Sequence, residues 1–164
     1  VSARAIIETM ARHFDSQFPA AWHQRAKQLK LSLHEVVTLA SIIEKETGAA
    51  PERPLIASVF YNRLKKNMRL ESDPTVIYGI ADFDGNLTRR HLTTPSPYNT
   101  YLIRGLPTGP IANPGRDAIE AVLYPAQSDY LYFVSRQDGT HIFSRTYREH
   151  NTAVRKYQLK RAVP

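Results

Sequence analysis

Apolar side chains recur at helical spacing in the N-terminal part of the chain. They repeat every three or four positions from Ile6 to Phe14 and again within residues 19–29, which predicts two amphipathic helices. Ser32 and Glu35 form an S-x-x-E capping box, which predicts the start of a third helix. Gly48 is typical of the position just beyond a helix end, so we expect the third helix to end there.

A fourth helix is predicted from Pro51 to Asn67, since Pro suits the first turn of a helix and apolar residues continue at helical spacing. From Arg69 to Gly115 the periodicity breaks into short pieces, and most of the Pro and Gly residues of the chain lie there. Apolar and aromatic residues continue through this region and need burial, which favours a packed site built from loops over a flexible linker.

Two strands are predicted in the C-terminal third, at Tyr130–Ser135 and His141–Ser144, because Asp138-Gly139 between them is typical of a hairpin turn. A helix is expected before them, from Pro114 to Leu123, and an amphipathic helix after them, from Tyr147 to Arg161. The predicted fold class is therefore α+β, mainly helical with a small antiparallel β-sheet and a cleft built from the Pro/Gly-rich loops.

Length and composition limit the class of protein. The 164 residues favour one compact domain, residues 1–164, and the hydrophobic share of 42% excludes a disordered chain. Because the chain has no Cys, disulfide frameworks, thiolate metal sites and Cys nucleophiles are excluded. The 22 Lys and Arg residues against 15 Asp and Glu residues give a net charge of +7, which favours an anionic partner or simply provides solubility. The basic residues are spread in small groups without a nucleic-acid-binding motif, so no nucleic-acid partner is expected.

Metal and nucleotide sites have no support in the sequence. Asp82, Asp84 and Asn86 imitate the start of a calcium-binding loop, but the glycine and the last ligand stand at the wrong positions, which indicates a turn. His141 and His150 lack metal-ligand spacing, so structural or hydrogen-bonding roles are expected for both. The G-x-S-x-G, Walker and G-x-G-x-x-G motifs are also missing from the sequence.

Glu46, near the end of the third predicted helix, is the most informative polar residue. Counting back by three, four and seven positions reaches Ile43, Ile42 and Leu39, so the carboxylate continues the apolar face of the helix. Glu44 does not share that face. A carboxyl group with apolar surroundings has a raised pKa, which is what a general acid needs at neutral pH.

The spacing leaves a simpler interpretation of Glu46 open. In the last turn of a helix the side chain can reach solvent, or it can pair with a cation such as Arg53 or Arg63. Either arrangement would keep the carboxylate ionised.

Two polar and aromatic loop segments stand out in the middle region, residues 72–78 and 98–101. Their hydroxyl, amide and ring groups are typical of loops that bind sugars or peptides. Turn formation explains Asp73, which precedes a Pro, and Asn99 equally well.

With these residues in hand, the chain resembles the catalytic domain of the endolytic murein transglycosylases of the MltG (YceG-like) family. The resemblance rests, in order, on LASIIEKET (39–47), VFYNRL (59–64), MRL (68–70), SDPTVIYG (72–79), TPSPYNTY (94–101), GLP (105–107), GPIANPG (109–115), YLYFV (130–134), H-x-F (141–143) and EHN (149–151). One departure is Thr108, where the family usually has a second Pro.

The resemblance implies cleavage of the β-1,4 bond between N-acetylmuramic acid and N-acetylglucosamine within glycan strands, leaving 1,6-anhydro ends. It places the catalytic Glu in the Glu-Lys-Glu-Thr motif, and we assign it to Glu46 because of its apolar face, with Glu44 as the alternative. One carboxyl group suffices for this reaction, because the 6-hydroxyl of the muramyl sugar replaces water as the nucleophile. The residues expected to bind sugar are Asn62, Ser72, Asp73, Thr75, Tyr98, Asn99 and Tyr101.

Two competing functions remain open at this point. With Asp73 as a second acid in the cleft, the chain would be a peptidoglycan hydrolase of the lysozyme type. Without a catalytic carboxyl group it would be a peptidoglycan-binding module.

The resemblance also implies a cellular context. Members of the family carry an N-terminal membrane helix and a LysM-like domain, both absent from this sequence, so we expect the chain to be the catalytic part of a longer protein. Such a protein would sit in the bacterial inner membrane through its anchor, with this domain in the periplasm or at the outer face of the plasma membrane. Peptidoglycan strands and the cell-wall synthesis machinery are the expected partners. No metal and no cofactor are implied.

Overall fold

The helices and strands follow the predicted order along the chain in a computed structural model, which describes residues 2–159. The helices are α1 (Ala3–Gln17), α2 (Ala20–Gln28), α3 (Leu33–Glu46), α4 (Arg53–Lys65), α5 (Asp73–Tyr78), α6 (Arg89–Thr93), α7 (Arg116–Leu123) and α8 (Tyr147–Val154). The strands are β1 (Tyr132–Ser135) and β2 (His141–Ser144). A 3₁₀ turn, Ala50–Glu52, precedes α4, and a π-helical turn, Arg155–Leu159, follows α8. The predicted fold class, α+β with a small antiparallel sheet, is confirmed.

The capping box at the start of α3 is confirmed. The Ser32 hydroxyl accepts from the Glu35 backbone N–H at 3.2 Å, and the Glu35 carboxylate accepts from the Ser32 backbone N–H at 2.8 Å. The last helical residue is Glu46 and Thr47 is the C-cap, so Gly48 lies just beyond the helix end, as expected. The chain becomes extended at Thr47, whose hydroxyl accepts from the Ala49 backbone N–H at 2.9 Å. Glu46 therefore lies in the last turn of the helix.

Residues 69–115, which were expected to form a packed site built from loops, also contain helices that the sequence did not predict. Two short helices, α5 and α6, lie within this region. Pro74 stands in the first turn of α5, and Thr88 caps α6 by accepting from the His91 backbone N–H at 3.4 Å. Helices this short carry too little periodicity to be recognised, and they depend on tertiary contacts for stability. Of the predicted final helix, residues 160–161 lie outside the described residues.

The core is built around α3, which is buried along most of its length. Helices α2, α4 and α7 pack against it. The fully buried side chains of α3 and its neighbours include Val36, Leu39, Ile42, Ile43, Ile56, Phe60, Val122 and Leu123. Burying each large aliphatic side chain contributes about 1.5–3 kcal/mol, so α3 is firmly held in place.

The β1–β2 hairpin packs against the helical body and faces the end of α3. The strands are antiparallel, with Phe133 opposite Phe143, and Gly139 in the turn has a φ of +88°. Phe133 meets Phe60 of α4 edge to face, with ring centroids 6.0 Å apart. Helix α8 also packs on the hairpin. Within residues 2–159, none of the helices combines the length and the apolar character that crossing a bilayer requires.

Candidate active site

A cleft of about 640 Å³ lies between the C-terminal end of α3 and the hairpin. One wall comes from α3 and the segment leading into α5, and the other comes from β1, β2 and α8. Its polar and aromatic lining includes Glu46, Thr47, Arg63, Glu71, Asp73, Tyr101, Tyr132, Ser135, His141, Tyr147 and His150. The floor therefore carries charged groups, and the hairpin side is largely aromatic.

Glu46 places a carboxyl group in this cleft. Burial raises its pKa from the ordinary value of 4.5 to about 7, and the nearby charge of Asp73 adds to this rise. A hydrogen bond from Ser72 and the positive charge of Arg63 act in the opposite direction but do not cancel the effect of burial. At neutral pH a large fraction of Glu46 is protonated, so the group can donate a proton.

Ser72 orients the Glu46 carboxyl group. It is the residue before α5, yet its hydroxyl makes no capping bond and instead donates to Oε1 of Glu46. The backbone of Ser72 is fixed by its N–H bond to the Thr100 hydroxyl, at 3.0 Å, and by the Thr75 hydroxyl, which donates to the Ser72 carbonyl at 2.6 Å. Thr75 is fully buried and so supports the position of Ser72 from behind the cleft.

Asp73 and Tyr101 form a second hydrogen-bonded pair in the cleft. The Tyr101 hydroxyl donates to Oδ1 of Asp73 at 2.6 Å. Burial raises the pKa of Tyr101, and the bond to Asp73 adds to this rise, so the phenol stays protonated and remains a donor. Asp73, Ser72 and Glu46 therefore meet at one end of the cleft.

Glu44 is held outside the cleft. Its Oε1 lies 3.4 Å from the Arg53 guanidinium, and its Oε2 accepts from the Gly115 backbone N–H at 3.0 Å. Arg53, one of the two cations that could have paired with Glu46, is thus paired with Glu44. This arrangement supports the choice of Glu46 over Glu44 for acid chemistry.

Arg63 is the buried cation of the cleft. It donates to the Leu131 carbonyl at 2.6 Å, to the Leu70 carbonyl at 3.0 Å and to the Glu71 carboxylate at 3.1 Å. Its guanidinium also lies 5.0 Å from the centre of the Tyr132 ring. Arg63 therefore joins α4 to both walls of the cleft and does not form an ion pair with Glu46.

Five of the seven residues expected to bind sugar are not in the lining of the cleft: Asn62, Ser72, Thr75, Tyr98 and Asn99. Asn62 donates to the carbonyls of Ser128 and Tyr130, at 2.8 and 2.9 Å. Asn99 is fully buried and donates to the Thr94 carbonyl at 2.8 Å, as a loop-stabilising amide does. Tyr98 packs edge to face on the ring of Tyr78, 4.7 Å away. The structure brings Ser72, Asp73 and Tyr101 together with Glu46, with Thr75 behind them.

Several cleft residues were not singled out by their sequence pattern as binding residues. They are Arg63, Glu71, Tyr132, Tyr147 and the two histidines, His141 and His150. The rings of Tyr132 and His150 are stacked, with centroids 5.2 Å apart. Burial lowers the pKa of His150, and nearby Arg63 lowers it further. Several of these residues belong to the motifs YLYFV, H-x-F and EHN, which carried the family resemblance. Nothing in those motifs indicates that the residues lie in the same cleft as Glu46.

The described residues offer no constellation for a metal ion. Within residues 2–159, no three His, Asp or Glu side chains gather closely enough to hold one. The groups in and next to the cleft can transfer a proton, through Glu46, and make hydrogen bonds, as Ser72 and Tyr101 do.

Comparison with known proteins gives concordant matches. A model of the YceG-like family matches residues 1–156. A Bacillus subtilis protein named endolytic murein transglycosylase is 43% identical over 156 residues, which are 95% of this chain and 43% of that protein. A Streptococcus pneumoniae protein of the same name is 35% identical over 136 residues, or 80% of this chain and 24% of that protein.

A solved structure agrees with these matches. The crystal structure of a YceG-like protein from Listeria monocytogenes superposes with a TM-score of 0.84 at 46% identity, covering 93% of this chain and 49% of that one. The chain thus spans less than half the length of each of these three proteins.

Proposed function

This chain belongs to the YceG-like family, and we propose that it is the catalytic part of an endolytic lytic transglycosylase of peptidoglycan. The names of the B. subtilis and S. pneumoniae relatives support the activity and the substrate class. The observation that carries the proposal is Glu46, a carboxyl group with a pKa of about 7 that faces the cleft.

Glu46 acts first as a general acid. Because Ser72 donates to Oε1, this atom is the carbonyl oxygen of the neutral acid, and the proton is on Oε2. Oε2 protonates the glycosidic oxygen between N-acetylmuramic acid and N-acetylglucosamine as the bond from C1 to that oxygen breaks. The negative charge of Asp73, together with the N-acetyl group of the substrate, stabilises the positive charge that develops at the muramyl C1.

Glu46 then acts as a general base. As a carboxylate it accepts the proton of the 6-hydroxyl of the same muramyl sugar, whose oxygen forms the new bond to C1. The attack is intramolecular and therefore has a high effective molarity. The product is a 1,6-anhydro end, no water is consumed, and Glu46 is protonated again for the next cycle.

A lysozyme-type hydrolase is the second candidate, because Asp73 lines the same cleft as Glu46. A hydrolase needs its second carboxylate as a nucleophile or as the base that activates water. In this cleft the Asp73 carboxylate already accepts a hydrogen bond from Tyr101, which occupies one of its oxygens and favours the transglycosylase.

We place the activity at the outer face of the bacterial plasma membrane, in the periplasm where there is one. Peptidoglycan strands lie there, and the net charge of +7 suits a wall polymer with carboxylate groups. The cell-wall synthesis machinery is the proposed neighbour.

Two variants on the same helix test the assignment. Glu46→Gln removes the transferable proton and is expected to lower the rate of glycan-strand cleavage about 10²–10⁴-fold. Glu44→Gln is the matched control, since it keeps an acceptor for the Gly115 N–H and is expected to retain activity. The rates are measured on purified peptidoglycan strands. Cleavage by Glu46→Gln at the unmodified rate, or loss of activity in Glu44→Gln alone, would refute the role of Glu46.

A further inference from the structure

His141 is held in the cleft by the part-buried carboxylate of Glu52. Glu52, in the 3₁₀ turn before α4, accepts from the His141 backbone N–H through Oε1 at 3.0 Å and contacts Nδ1 through Oε2 at 2.7 Å. The side chains of Glu52 and His141 are only 16% and 10% exposed. Both contacts come from one carboxylate, so the strand and the imidazole ring are fixed together.

This contact determines which nitrogen of the ring carries hydrogen. An ionised carboxylate can only accept, so the hydrogen between the two groups belongs to Nδ1. In the neutral ring, Nε2 is then an acceptor. It lies on the ring edge away from Glu52, and within the part of the chain that the structure describes it has no hydrogen-bond partner.

Anchoring the strand does not require the imidazole ring. The backbone bond from His141 to Glu52 already fixes the start of β2, and the ring of Phe133 packs edge to face on His141 at 5.5 Å. A Phe ring at position 141 could make the same packing contact. The ring instead brings an oriented acceptor to a cleft that also contains Glu46.

We propose that His141 is a substrate-binding residue, whose Nε2 accepts a hydrogen bond from an amide N–H of the bound glycan, a group that can donate but not accept. Glu52 is the positioning residue that fixes the required tautomer, as carboxylates do for functional histidines elsewhere. The inference rests on the proposed function, because it takes the glycan strand as the ligand.

Two variants separate this role from a structural one. His141→Phe keeps the ring and its packing but removes both nitrogens. In Glu52→Gln the amide oxygen can still accept from the His141 backbone N–H, while the amide N–H now faces Nδ1 and favours hydrogen on Nε2. The ring stays in place in this second variant, and only its hydrogen-bonding direction at the cleft is reversed.

Binding is measured with purified glycan strands and Glu46→Gln protein, which prevents turnover. Each added variant is expected to raise Kd about tenfold, the loss of one good hydrogen bond. His34→Phe is the matched control, since Nε2 of His34 contacts the Thr108 carbonyl at 3.0 Å outside the cleft, and its Kd is expected to be unchanged. Nitrogen-15 NMR shifts are expected to show hydrogen on Nδ1 of His141, and on Nε2 after Glu52→Gln.

The outcomes are distinct. Unchanged Kd values in the folded Glu52→Gln and His141→Phe proteins would overturn the role of His141 and leave the proposed function intact. If His141→Phe does not fold, the Kd and the NMR shifts of Glu52→Gln decide alone. If the Glu46→Gln parent protein does not bind strands, the proposed function fails and this inference fails with it.

Discussion

At the scale of single residues, the acidity of Glu46 results from opposed contacts. Burial and the charge of Asp73 raise its pKa, whereas the Ser72 hydrogen bond and Arg63 lower it. The balance leaves the group able both to give and to take a proton near neutral pH, which a single carboxyl group must do in a two-step transfer.

The pH dependence of cleavage follows from this balance. Since the first step needs protonated Glu46, kcat/KM is expected to fall as pH rises through about 7. Ser72→Ala removes a hydrogen bond that lowers the pKa of Glu46, so the fall of kcat/KM is expected to move to higher pH. Initial rates on glycan strands between pH 5 and pH 9 measure both effects. A fall that moves to lower pH in Ser72→Ala would contradict the role given to this hydroxyl.

Stability should change with pH for the same reason. The folded protein holds the Glu46 proton up to a pH of about 7, whereas the unfolded chain releases it near 4.5. The free energy of unfolding therefore falls as pH rises between these values, by about 3 kcal/mol at most. Gln has no proton to release in this range, so the free energy of unfolding of Glu46→Gln does not fall in this way. Glu46→Gln is therefore expected to be more stable than the unmodified protein at pH 8 and equally stable near pH 4.

Urea unfolding at the two pH values provides the measurement, with Glu44→Gln as the control that gains no stability at pH 8. Equal stability of Glu46→Gln and the unmodified protein at pH 8 would show that the carboxyl group is not desolvated in the folded state.

At the scale of elements, the hairpin wall depends on Arg63. This buried side chain donates to the carbonyl of Leu131, just before β1, and to the carbonyl of Leu70, in the segment before α5. Arg63→Met leaves those carbonyls without their donor and is expected to lower the free energy of unfolding by about 3 kcal/mol. Lys65→Met, on the exposed side of the same helix, is the control. Urea unfolding with equal midpoints for the two variants would contradict the structural role of Arg63.

Local signals account for the elements that the sequence predicted correctly. The Ser32 capping box and the Asp138-Gly139 turn act over a few residues, so the start of α3 and the hairpin could be recognised. Helices α5 and α6 could not, because six and five residues give no clear period and their stability comes from the surrounding structure. Gly48 likewise indicated the end of α3, since it directly follows the C-cap Thr47.

At the scale of the whole molecule, the cleft joins segments that are far apart in the chain. The apolar face of α3 was enough to separate Glu46, which lines the cleft, from Glu44. The polar and aromatic character of the loop segments 72–78 and 98–101 pointed to Ser72, Asp73 and Tyr101. The sequence could not show that Asn62 and Asn99 turn inward to backbone carbonyls. Polarity alone does not distinguish an amide that stabilises a loop from one that meets a ligand.

The hairpin side of the cleft was missed for a related reason. His141 and His150 lie about a hundred residues after Glu46, and only the packing of the hairpin on α4 brings them to the same cleft. Long-range proximity of this kind leaves no spacing pattern in one sequence.

The chemistry of the newly formed glycan ends tests the central claim most directly. Purified peptidoglycan strands are incubated with the unmodified chain or with Glu46→Gln, and the products are weighed by mass spectrometry. Muramyl ends lighter by one water, the 1,6-anhydro form, are expected from the unmodified chain, and none from Glu46→Gln. Reducing ends in their place would contradict the transglycosylase and identify a hydrolase, with Asp73 as the second carboxyl group to examine.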